Sequence, residues 1–325
     1  MKVTLFLRNP FEIGNFSIEA FYGELEIQIK ESVNFTVKRL PFKNKGIIPR
    51  IINIIYCYLN QSDVNHIVGD ISYCALLMNK KKLILTVLDF VSLYNSKGLK
   101  YYIFKKFLYE LPIMKSKEVI YISESTQKDS EKFLLIKRSS KVIPVTVHRD
   151  FFKLEHSQKN FNKNFLIIGT APNKNINRII SAIEGIDCNL TIIGKLDHNQ
   201  RKKLNSLKIN FFEYKNALPI SDVINLYKES DILIYVSELE GFGMPIIEAN
   251  LAGVCVLTSN ISSMPFVAGN SAYLVDPFDI DSIHDGLNEL CNNSTLRKQL
   301  IKNGFINSKR FLIKNIAEQH IKLYK

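Results

Sequence analysis

Short apolar runs alternate with longer stretches of helical length along most of the chain. In the first half these runs are KVTLFLR, NFTVKRL, DVNHIVG, KLILTVLDF and EVIYIS. In the second half they are FLIIGT, CNLTIIG, KINFFEY, DILIYVS, GVCVLTS and AYLVDP. Short apolar strands separated by helices are typical of parallel sheets that helices cover on both faces. The pattern therefore predicts an α/β protein with two doubly wound, Rossmann-like sheets in tandem.

The boundary between the two predicted domains lies in a polar stretch. Residues 155–164, EHSQKNFNKN, are short of branched apolar side chains and predict a linker. We expect an N-terminal domain over residues 1–155 and a C-terminal domain over residues 164–308. Residues 309–325 are basic and helical in pattern, and they follow the second domain.

Composition and cysteine usage exclude several classes of protein. With 325 residues, 46% of them hydrophobic, the chain can bury a large core. The five cysteines are scattered without metal-ligand or C-x-x-C spacing, which favours a reducing compartment and no metal site. The apolar run before Arg8 is too short for a signal peptide, and Pro49 and Arg50 interrupt the most apolar early stretch. We therefore expect a cytoplasmic protein without a spanning helix.

The net charge of +12 is concentrated in the first half. Residues 1–150 carry 23 Lys and Arg residues against 14 Asp and Glu residues. Such a surplus suits an anionic membrane face or an acidic substrate, and a solvated lysine-rich surface explains it equally well. We do not expect a nucleic-acid partner, because zinc spacing, an RNP-like aromatic strand and an Arg-rich helix are all missing from the sequence.

One segment of the basic half mixes aromatic residues with lysines. Residues 97–115, KGLKYYIFKKFLYELPIMK, predict a helix that could make peripheral contact with an anionic leaflet. In the alternative, Tyr102, Phe104, Phe107 and Leu108 face the core, as in most amphipathic helices.

The stretch SELEGFGMPIIEANLAG, residues 237–253, follows an apolar strand and begins a helix. Gly241 and Gly243 allow close approach of the backbone, and Pro245 suits a first helical turn. A glycine turn that leads into a helix presents free N–H groups and the positive end of the helix dipole. These features predict a site for a phosphate or diphosphate.

Two glutamates, Glu240 and Glu248, flank this turn with seven residues between them. A carboxylate without a metal accepts hydrogen bonds from hydroxyl groups, so the pair indicates a ligand with hydroxyl-rich groups on both sides of a diphosphate. A nucleotide sugar fits that description. A nicotinamide-dependent oxidoreductase would instead need a G-x-G-x-x-G turn after a first strand, which the sequence lacks.

These residues carry a resemblance to a known family. SELEGFGMPIIEANLAGVCVLTSN resembles the signature of the retaining glycosyltransferases of family 4, which have the GT-B fold of two Rossmann-like domains facing a cleft. FLIIGTAPNKNINRII and AYLVDPFDIDSI are similar to other segments of the family. VNHIVGDISYCALL, KKLILTVLDF and the segment from VIYIS to KVIPV resemble a bacterial branch of it, and coverage runs from about residue 60 to residue 290.

The resemblance implies roles for the residues around the glutamate motif. Glu240 would be catalytic and would face the donor sugar. The backbone N–H groups at Gly241, Phe242 and Gly243 would contact the sugar and the phosphate. Glu248 would bind the ribose hydroxyls.

Other donor-side roles fall on residues earlier in the second half. Lys174 would neutralise the diphosphate, and the backbone near Phe212 and Glu213 would face the base. The family usually places an arginine close to that lysine, and this chain does not. Arg178, one helical turn after Lys174, either replaces that arginine or is a solvated helix residue.

In the first half the resemblance points to His66 and Asp89 as candidate catalytic residues. His66 would touch the acceptor or the donor, or it is a hydrogen-bonded structural histidine. Asp89 belongs to TVLD, where Leu88 replaces the histidine of the branch, and Phe266 stands where a glutamate is common. The segment NPFEIGNFSIE, with Gly14, lies where acceptors are expected.

The resemblance implies transfer of a sugar, with retained configuration, from a nucleotide-diphosphate sugar to a glycan or lipid-linked glycan acceptor. Neither a divalent metal nor another cofactor would be needed. The expected acceptor is an intermediate of a bacterial surface polysaccharide, such as lipopolysaccharide, at the inner face of the cytoplasmic membrane. Residues 309–325 would cross back to pack on the N-terminal domain.

The alternative function is a nucleotide-sugar-binding protein without transferase activity, acting as a partner or regulatory subunit. Leu88 and Phe266 favour this alternative, because they replace residues that the family usually has. The intact glutamate pair together with Lys174 argues against it.

Overall fold

The computed structural model describes residues 1–9, 17–136, 138–155 and 160–325. The chain divides into two compact units, one formed by Met1–Thr146 with Leu312–Lys325 and the other by Val147–Phe311. Each unit is built on its own six-stranded sheet, and every strand pair is parallel. The predicted α/β fold class with two doubly wound sheets is therefore confirmed.

The first sheet has the strand order β2-β1-β3-β4-β5-β6. Its strands are β1 (Lys2–Leu7), β2 (Asn34–Arg39), β3 (Val64–Val68), β4 (Leu83–Val87), β5 (Glu118–Tyr121) and β6 (Ser140–Val142). Strand β4 is buried along its whole length, as expected for a central strand with helices on both faces.

The helices that connect these strands are mostly short. They are α1 (Ser17–Ile29), α2 (Ile47–Leu59), α3 (Val91–Tyr94), α4 (Gly98–Phe104), α5 (Leu111–Lys115) and α6 (Glu124–Phe133). Two 3-10 segments, Gly69–Leu77 and Lys80–Lys82, precede β4, and a π-helical segment, Lys105–Glu110, joins α4 to α5.

The second sheet has the order β12-β11-β10-β7-β8-β9. Its strands are β7 (Asn164–Ile168), β8 (Asn189–Ile193), β9 (Asn210–Tyr214), β10 (Ile232–Tyr235), β11 (Cys255–Ser259) and β12 (Ala272–Val275). The chain order reverses between the neighbours β7 and β10. Ligands of doubly wound sheets bind beyond the carboxyl ends of the strands at such a switch point.

In the described part of this unit, seven α-helices surround the second sheet. They are α7 (Ile176–Ala182), α8 (His198–Ser206), α9 (Ile220–Glu229), α10 (Met244–Ala252), α11 (Met264–Ala268), α12 (Ile280–Asn292) and α13 (Ser294–Ser308). Among the residues that the structure describes, no helix is long and apolar enough to cross a membrane.

The last helix, α14 (Ile313–Tyr324), lies in the first unit and packs against α1. A buried polar network joins it to the first sheet. The hydroxyl of Tyr324 lies 2.8 Å from Nδ1 of His66, and Nε2 of His66 lies 2.7 Å from Oγ1 of Thr86. The hydroxyl of Tyr22 on α1 donates to the same threonine at 3.2 Å.

Candidate functional site

The candidate site lies in the second unit, at the switch point between β7 and β10. The loops that leave these two strands are bonded to each other. The N–H of Glu238 donates to the carbonyl of Asn173 at 2.8 Å, and Nδ2 of Asn173 donates to the carbonyl of Leu239 at 2.9 Å. These contacts bring Lys174, which follows β7, next to the glutamate motif that follows β10.

Lys174 and Glu240 form an ion pair at this point. The lysine Nζ lies 2.6 Å from Oε1 of Glu240, and both side chains are largely buried, at 18% and 15% exposure. The same ammonium donates to the hydroxyl of Tyr235 at 3.0 Å and lies 4.6 Å from the centre of its ring. Gly169 makes room for this lysine, because a Cβ at its φ of +86° would lie 3.0 Å from the lysine Cε.

Glu240 is held by contacts beyond the ion pair. Nδ2 of Asn173 donates to its Oε1 at 3.1 Å, and its backbone N–H donates to Oγ of Ser262 at 3.1 Å. The hydroxyl of Ser263 lies within hydrogen-bonding distance of the carbonyls of Glu240 and Phe242. These hydrogen bonds therefore hold the glycine turn in place without a ligand.

Helix α10 begins directly after this turn. Gly243 adopts φ 122° and ψ 51°, in the region that favours glycine, and no side chain of the described residues caps the helix at this position. Pro245 occupies the first turn, as the sequence predicts. The ring of Phe242 is buried and lies edge-on to Phe311, with 5.7 Å between centroids. The helix end thus suits an anion, and the contacts expected of the backbone at Gly241, Phe242 and Gly243 stay a prediction.

Glu248 sits one turn into α10 and is only partly exposed. Its Oε2 accepts a 2.6 Å hydrogen bond from the hydroxyl of Tyr227, a fully buried residue of α9. Removal of the carboxyl from water raises the pKa of Glu248 to about 7, against the smaller opposing effect of the tyrosine hydroxyl. Near neutral pH this group can therefore exist in both its acid and its carboxylate form.

Arg178 is about one-third exposed and already paired, so it is not free to bind a ligand unaided. Its Nη1 lies 2.5 Å from Oε1 of Glu238 and 2.9 Å from Oδ1 of Asn175. The guanidinium also lies 5.5 Å from the ring centre of Phe278. Sequence reasoning gave no role to Glu238, although this residue lies within the quoted stretch, two positions before Glu240.

Phe212 and Glu213 lie on β9, away from the ion pair in sequence. The ring of Phe212 is 60% exposed and meets Tyr214 edge-on, with 4.7 Å between centroids. Glu213 accepts a 2.7 Å hydrogen bond from Arg201, and this bond, with those from the Leu196 N–H and Lys215, lowers its pKa to about 2. Its carboxylate is committed to these partners, so only its backbone is available for the predicted contact with a base.

Of the two alternatives for His66, contact with acceptor or donor and a hydrogen-bonded structural role, the structure favours the second. The side chain is fully buried, and its two ring nitrogens face Tyr324 and Thr86. Burial lowers the pKa of this imidazole, so the ring is neutral within a packed core.

Asp89 lines a cavity of about 160 Å³ beyond the carboxyl ends of β1, β3 and β4. Its Oδ1 accepts a 3.0 Å bond from the N–H of Val91 and so helps to begin α3. Arg8, which sequence reasoning missed, lies in the same cavity and pairs with Glu19 at 2.7 Å. Leu88 fills the space beside Gly69, where a Cβ would lie 2.6 Å from its Cδ1. The segment around Gly14, expected near the acceptor, lies mostly outside the described residues.

For the basic segment 97–115 the sequence predicts either contact with a membrane or aromatic and leucine side chains turned towards the core, and the structure divides these side chains between the surface and the core. Tyr102 and Phe107 are exposed, whereas Phe104 and Leu108 pack partly against the core of the first unit. Within the described residues, no cluster of three or more His, Cys, Asp or Glu side chains could hold a metal ion.

Comparison with known proteins agrees with this geometry. Residues 150–306 match the model of the family Glycosyl transferases group 1. The chain is 33% identical over 115 residues to the O-antigen chain mannosyltransferase B of Escherichia coli, covering 35% of this chain and 30% of that protein. It is 27% identical over 170 residues to the capsular polysaccharide biosynthesis glycosyltransferase CapM of Staphylococcus aureus, covering 47% of this chain and 43% of the relative. The chain thus spans less than half the length of these two relatives.

Solved structures resemble the whole chain. WaaG, a glycosyltransferase involved in lipopolysaccharide biosynthesis, aligns with a TM-score of 0.76 at 14% identity and covers 99% of both chains. A sucrose-phosphate synthase from Thermosynechococcus elongatus aligns with a TM-score of 0.78 at 13% identity, covering 99% of this chain and 98% of its own. At these identities the likeness shows the fold, which is GT-B. Residues 150–306 of this chain therefore belong to the glycosyl transferases group 1 family.

Proposed function

We propose that the protein transfers a sugar from a nucleotide-diphosphate sugar to a glycan or lipid-linked glycan acceptor. The observation that carries the proposal is the Lys174–Glu240 pair beside the glycine turn and the start of α10. A largely buried cation next to a helix N-terminus suits a diphosphate, and a carboxylate beside it suits the hydroxyl groups of a sugar.

Donor binding would rearrange this pair. The diphosphate competes with Glu240 for the ammonium of Lys174, and the released carboxylate accepts hydrogen bonds from the donor sugar. During transfer the bond between the anomeric carbon and the diphosphate oxygen breaks, and the acceptor hydroxyl oxygen bonds to that carbon. The acceptor proton leaves towards the departing diphosphate, whose negative charge Lys174 and the helix end stabilise.

The nucleoside part has its own candidate contacts. Glu248 in its carboxylate form accepts hydrogen bonds from the ribose hydroxyls, and the base lies near the exposed ring of Phe212. Related folds are known with such ligands, for example Anabaena Alr3699/HepE in complex with UDP and glucose. The proposed reaction retains the configuration of the sugar and needs no divalent metal, since Lys174 and the helix dipole handle the charge of the leaving group.

The acceptor in this proposal is an intermediate of a bacterial surface polysaccharide. Relatives of this protein are named as O-antigen chain mannosyltransferases and as a glycosyltransferase of capsular polysaccharide biosynthesis. A lipid-linked acceptor would place the protein at the cytoplasmic face of an anionic membrane, with the nucleotide sugar arriving from the cytosol.

Titration with a panel of nucleoside diphosphates and nucleotide sugars, followed by a transfer assay with lipid-linked glycans, tests the proposal. We expect one base to bind best, and transfer to persist in EDTA. The variant Lys174→Met should bind the diphosphate roughly tenfold to a hundredfold more weakly, whereas Lys302→Met, at an exposed position of α13, should bind it as the unaltered protein does. A protein that binds no nucleotide sugar at millimolar concentration would overturn the proposal.

A further inference from the structure

Helix α2 shows an unusual distribution of polar and apolar side chains. Its outward face carries Ile47, Ile48, Ile51, Ile52, Ile55 and Leu59, all exposed, with the end residues Ile47 and Leu59 at 77% and 72%. Tyr58 is exposed beside them. A surface helix normally turns such residues towards the core and its polar residues towards water. On α2 most of the large apolar side chains face outward instead, and only Ile54 and Tyr56 pack partly against the core.

The inward face of α2 is small and partly polar. Its two fully buried residues are Asn53 and Cys57. The Asn53 amide bonds to the carbonyl of Phe42 at 3.0 Å, to its N–H at 3.2 Å and to the hydroxyl of Tyr73 at 3.1 Å. These bonds fix the rotation of the helix, so the isoleucines cannot turn inward without leaving a buried amide unpaired.

The charge around this apolar face is mainly positive, although Asp70, which accepts a 2.9 Å hydrogen bond from Asn44, and Asp63, which lies close to Lys82, are near its two ends. Between Glu31 and Asp63 the chain carries five basic residues and no acidic one. At the far end of the helix lies the exposed triplet Lys80–Lys82, where Lys82 Nζ is 3.5 Å from the carbonyl of Ser62. The apolar face is therefore flanked by lysines at both ends.

A second exposed element lies on the same side of the first sheet. Helix α2, the 3-10 segment Gly69–Leu77 and the segment Lys105–Glu110 all pack on one core cluster. Their outer surfaces consequently face away from the same side of the sheet. The outer surface of the segment from α4 onward adds Leu99, Tyr102, Ile103 and Phe107 to the exposed apolar area.

We propose that the outward face of α2 is a membrane-docking surface that inserts its isoleucines among the lipids of an anionic bilayer. An apolar face with flanking lysines matches the boundary between acyl chains and anionic headgroups. A second copy of this chain fits less well, because two surfaces with the same positive flanks would repel each other. The inference deepens the membrane location within the proposed function, and vesicle binding needs neither donor nor transfer.

Flotation with vesicles of phosphatidylglycerol and phosphatidylcholine tests the surface. We expect binding to the anionic vesicles that falls as salt is added, and much weaker binding to phosphatidylcholine alone. The double variant Ile51→Asn with Ile55→Asn should lower the partition coefficient about tenfold or more, since two side chains would no longer leave water. Replacing Lys80, Lys81 and Lys82 by glutamine should reduce the salt-sensitive part of the binding.

A matched control is Ile27→Asn with Ile306→Asn, which changes two exposed isoleucines on α1 and α13. This control should bind vesicles as the unaltered protein does. Nucleoside-diphosphate binding, measured on the same samples, should be equal in all variants, so a failed transfer assay and a failed docking surface are told apart. Absence of vesicle binding at low salt, or a dimer that the α2 variant dissociates while vesicle binding persists, would overturn the inference.

Discussion

The ammonium of Lys174 lies 2.6 Å from a carboxylate oxygen of Glu240, although 66 residues separate them. One residue follows β7 and the other follows β10, which are neighbours in the second sheet. A cation and a carboxylate that lie beside the same helix end can give up their mutual contact and bind a ligand instead. Such a ligand would offer phosphates to the cation and hydroxyl groups to the carboxylate. Without a ligand, Lys174 and Glu240 bind each other. A nucleotide sugar would replace this contact with one contact to each residue.

Substitutions in this pair should separate binding from transfer. Lys174→Met removes a charge-assisted contact to the diphosphate, so we expect affinity to fall by about 1.5–3 kcal/mol, or roughly tenfold to a hundredfold. Glu240→Gln should leave nucleoside-diphosphate binding intact and lower the transfer rate about a hundredfold to a thousandfold. Calorimetry with the nucleoside diphosphate and initial rates with the complete donor measure the two effects. Equal loss of binding in both variants would contradict the division of roles.

The raised pKa of Glu248 predicts a pH dependence of stability. Below about pH 4.5 the carboxyl is protonated in the folded and the unfolded chain, and its burial costs least. As the pH rises towards 7 the unfolded chain ionises first, so stability falls, and above about pH 7 the full cost is present. The difference in pKa corresponds to at most about 3 kcal/mol.

Glu248→Gln should remove this dependence. We expect the variant to have a higher Tm than the unaltered protein at pH 8 and a similar Tm at pH 5, with Glu184→Gln on the surface as control. Nucleotide binding should strengthen from pH 6 to pH 8 in the unaltered protein alone, because the carboxylate is the better acceptor for ribose hydroxyls. Identical Tm profiles in the two proteins would show that burial does not control this group.

The sequence could predict the fold and the centre of the site because both depend on local patterns. Alternating strands and helices defined the sheets, and the glycine turn with Glu240 and Glu248 is a contiguous motif. The partners Tyr227 and Glu238 escaped prediction, since their contacts depend on how separate elements meet. The apolar pattern of α2 likewise does not predict which face of the helix is buried, because the hydrogen bonds of Asn53 determine its orientation.

His66, in the first unit, is a second case in which contacts between distant elements could not be predicted from the sequence. A strand-end motif does not reveal on which side the ring lies, and its partner Tyr324 is 258 residues away. The neighbouring His320 is also buried, and burial lowers its pKa from 6.5 to about 4. Together the two histidines join α14 to the sheet in their neutral forms.

Acid should therefore weaken the first unit. As the pH falls from about 6.5 towards 4, the unfolded chain takes up protons that the buried rings of His66 and His320 resist, so stability is lost across that window. Tyr324→Phe removes a partner of a buried ring nitrogen and should cost about 1–3 kcal/mol at neutral pH. Tyr58→Phe, at an exposed position, should cost almost nothing. Urea unfolding at pH 7 and pH 5 measures these changes, and equal stabilities of the two variants would contradict the network.

The last prediction concerns the pair of Arg178 and Glu238, which lie 2.5 Å apart beside the proposed diphosphate position. The two side chains are each about one-third exposed, at 36% and 34%, so a ligand can reach the guanidinium but must compete with the carboxylate. If Arg178 replaces the arginine that the family usually places near Lys174, Arg178→Gln should weaken nucleoside-diphosphate binding about tenfold.

Glu238→Gln should act in the opposite direction. It releases the guanidinium and removes a negative charge, so we expect tighter binding of the diphosphate by about threefold to tenfold, with a steeper dependence on salt. The double variant should bind like Arg178→Gln alone, because the glutamate acts through the arginine. Calorimetric titration of the unaltered protein, the two single variants and the double variant measures this double-mutant cycle. If Glu238→Gln tightens binding equally when Arg178 is absent, the glutamate repels the ligand directly and Arg178 is not part of the donor site.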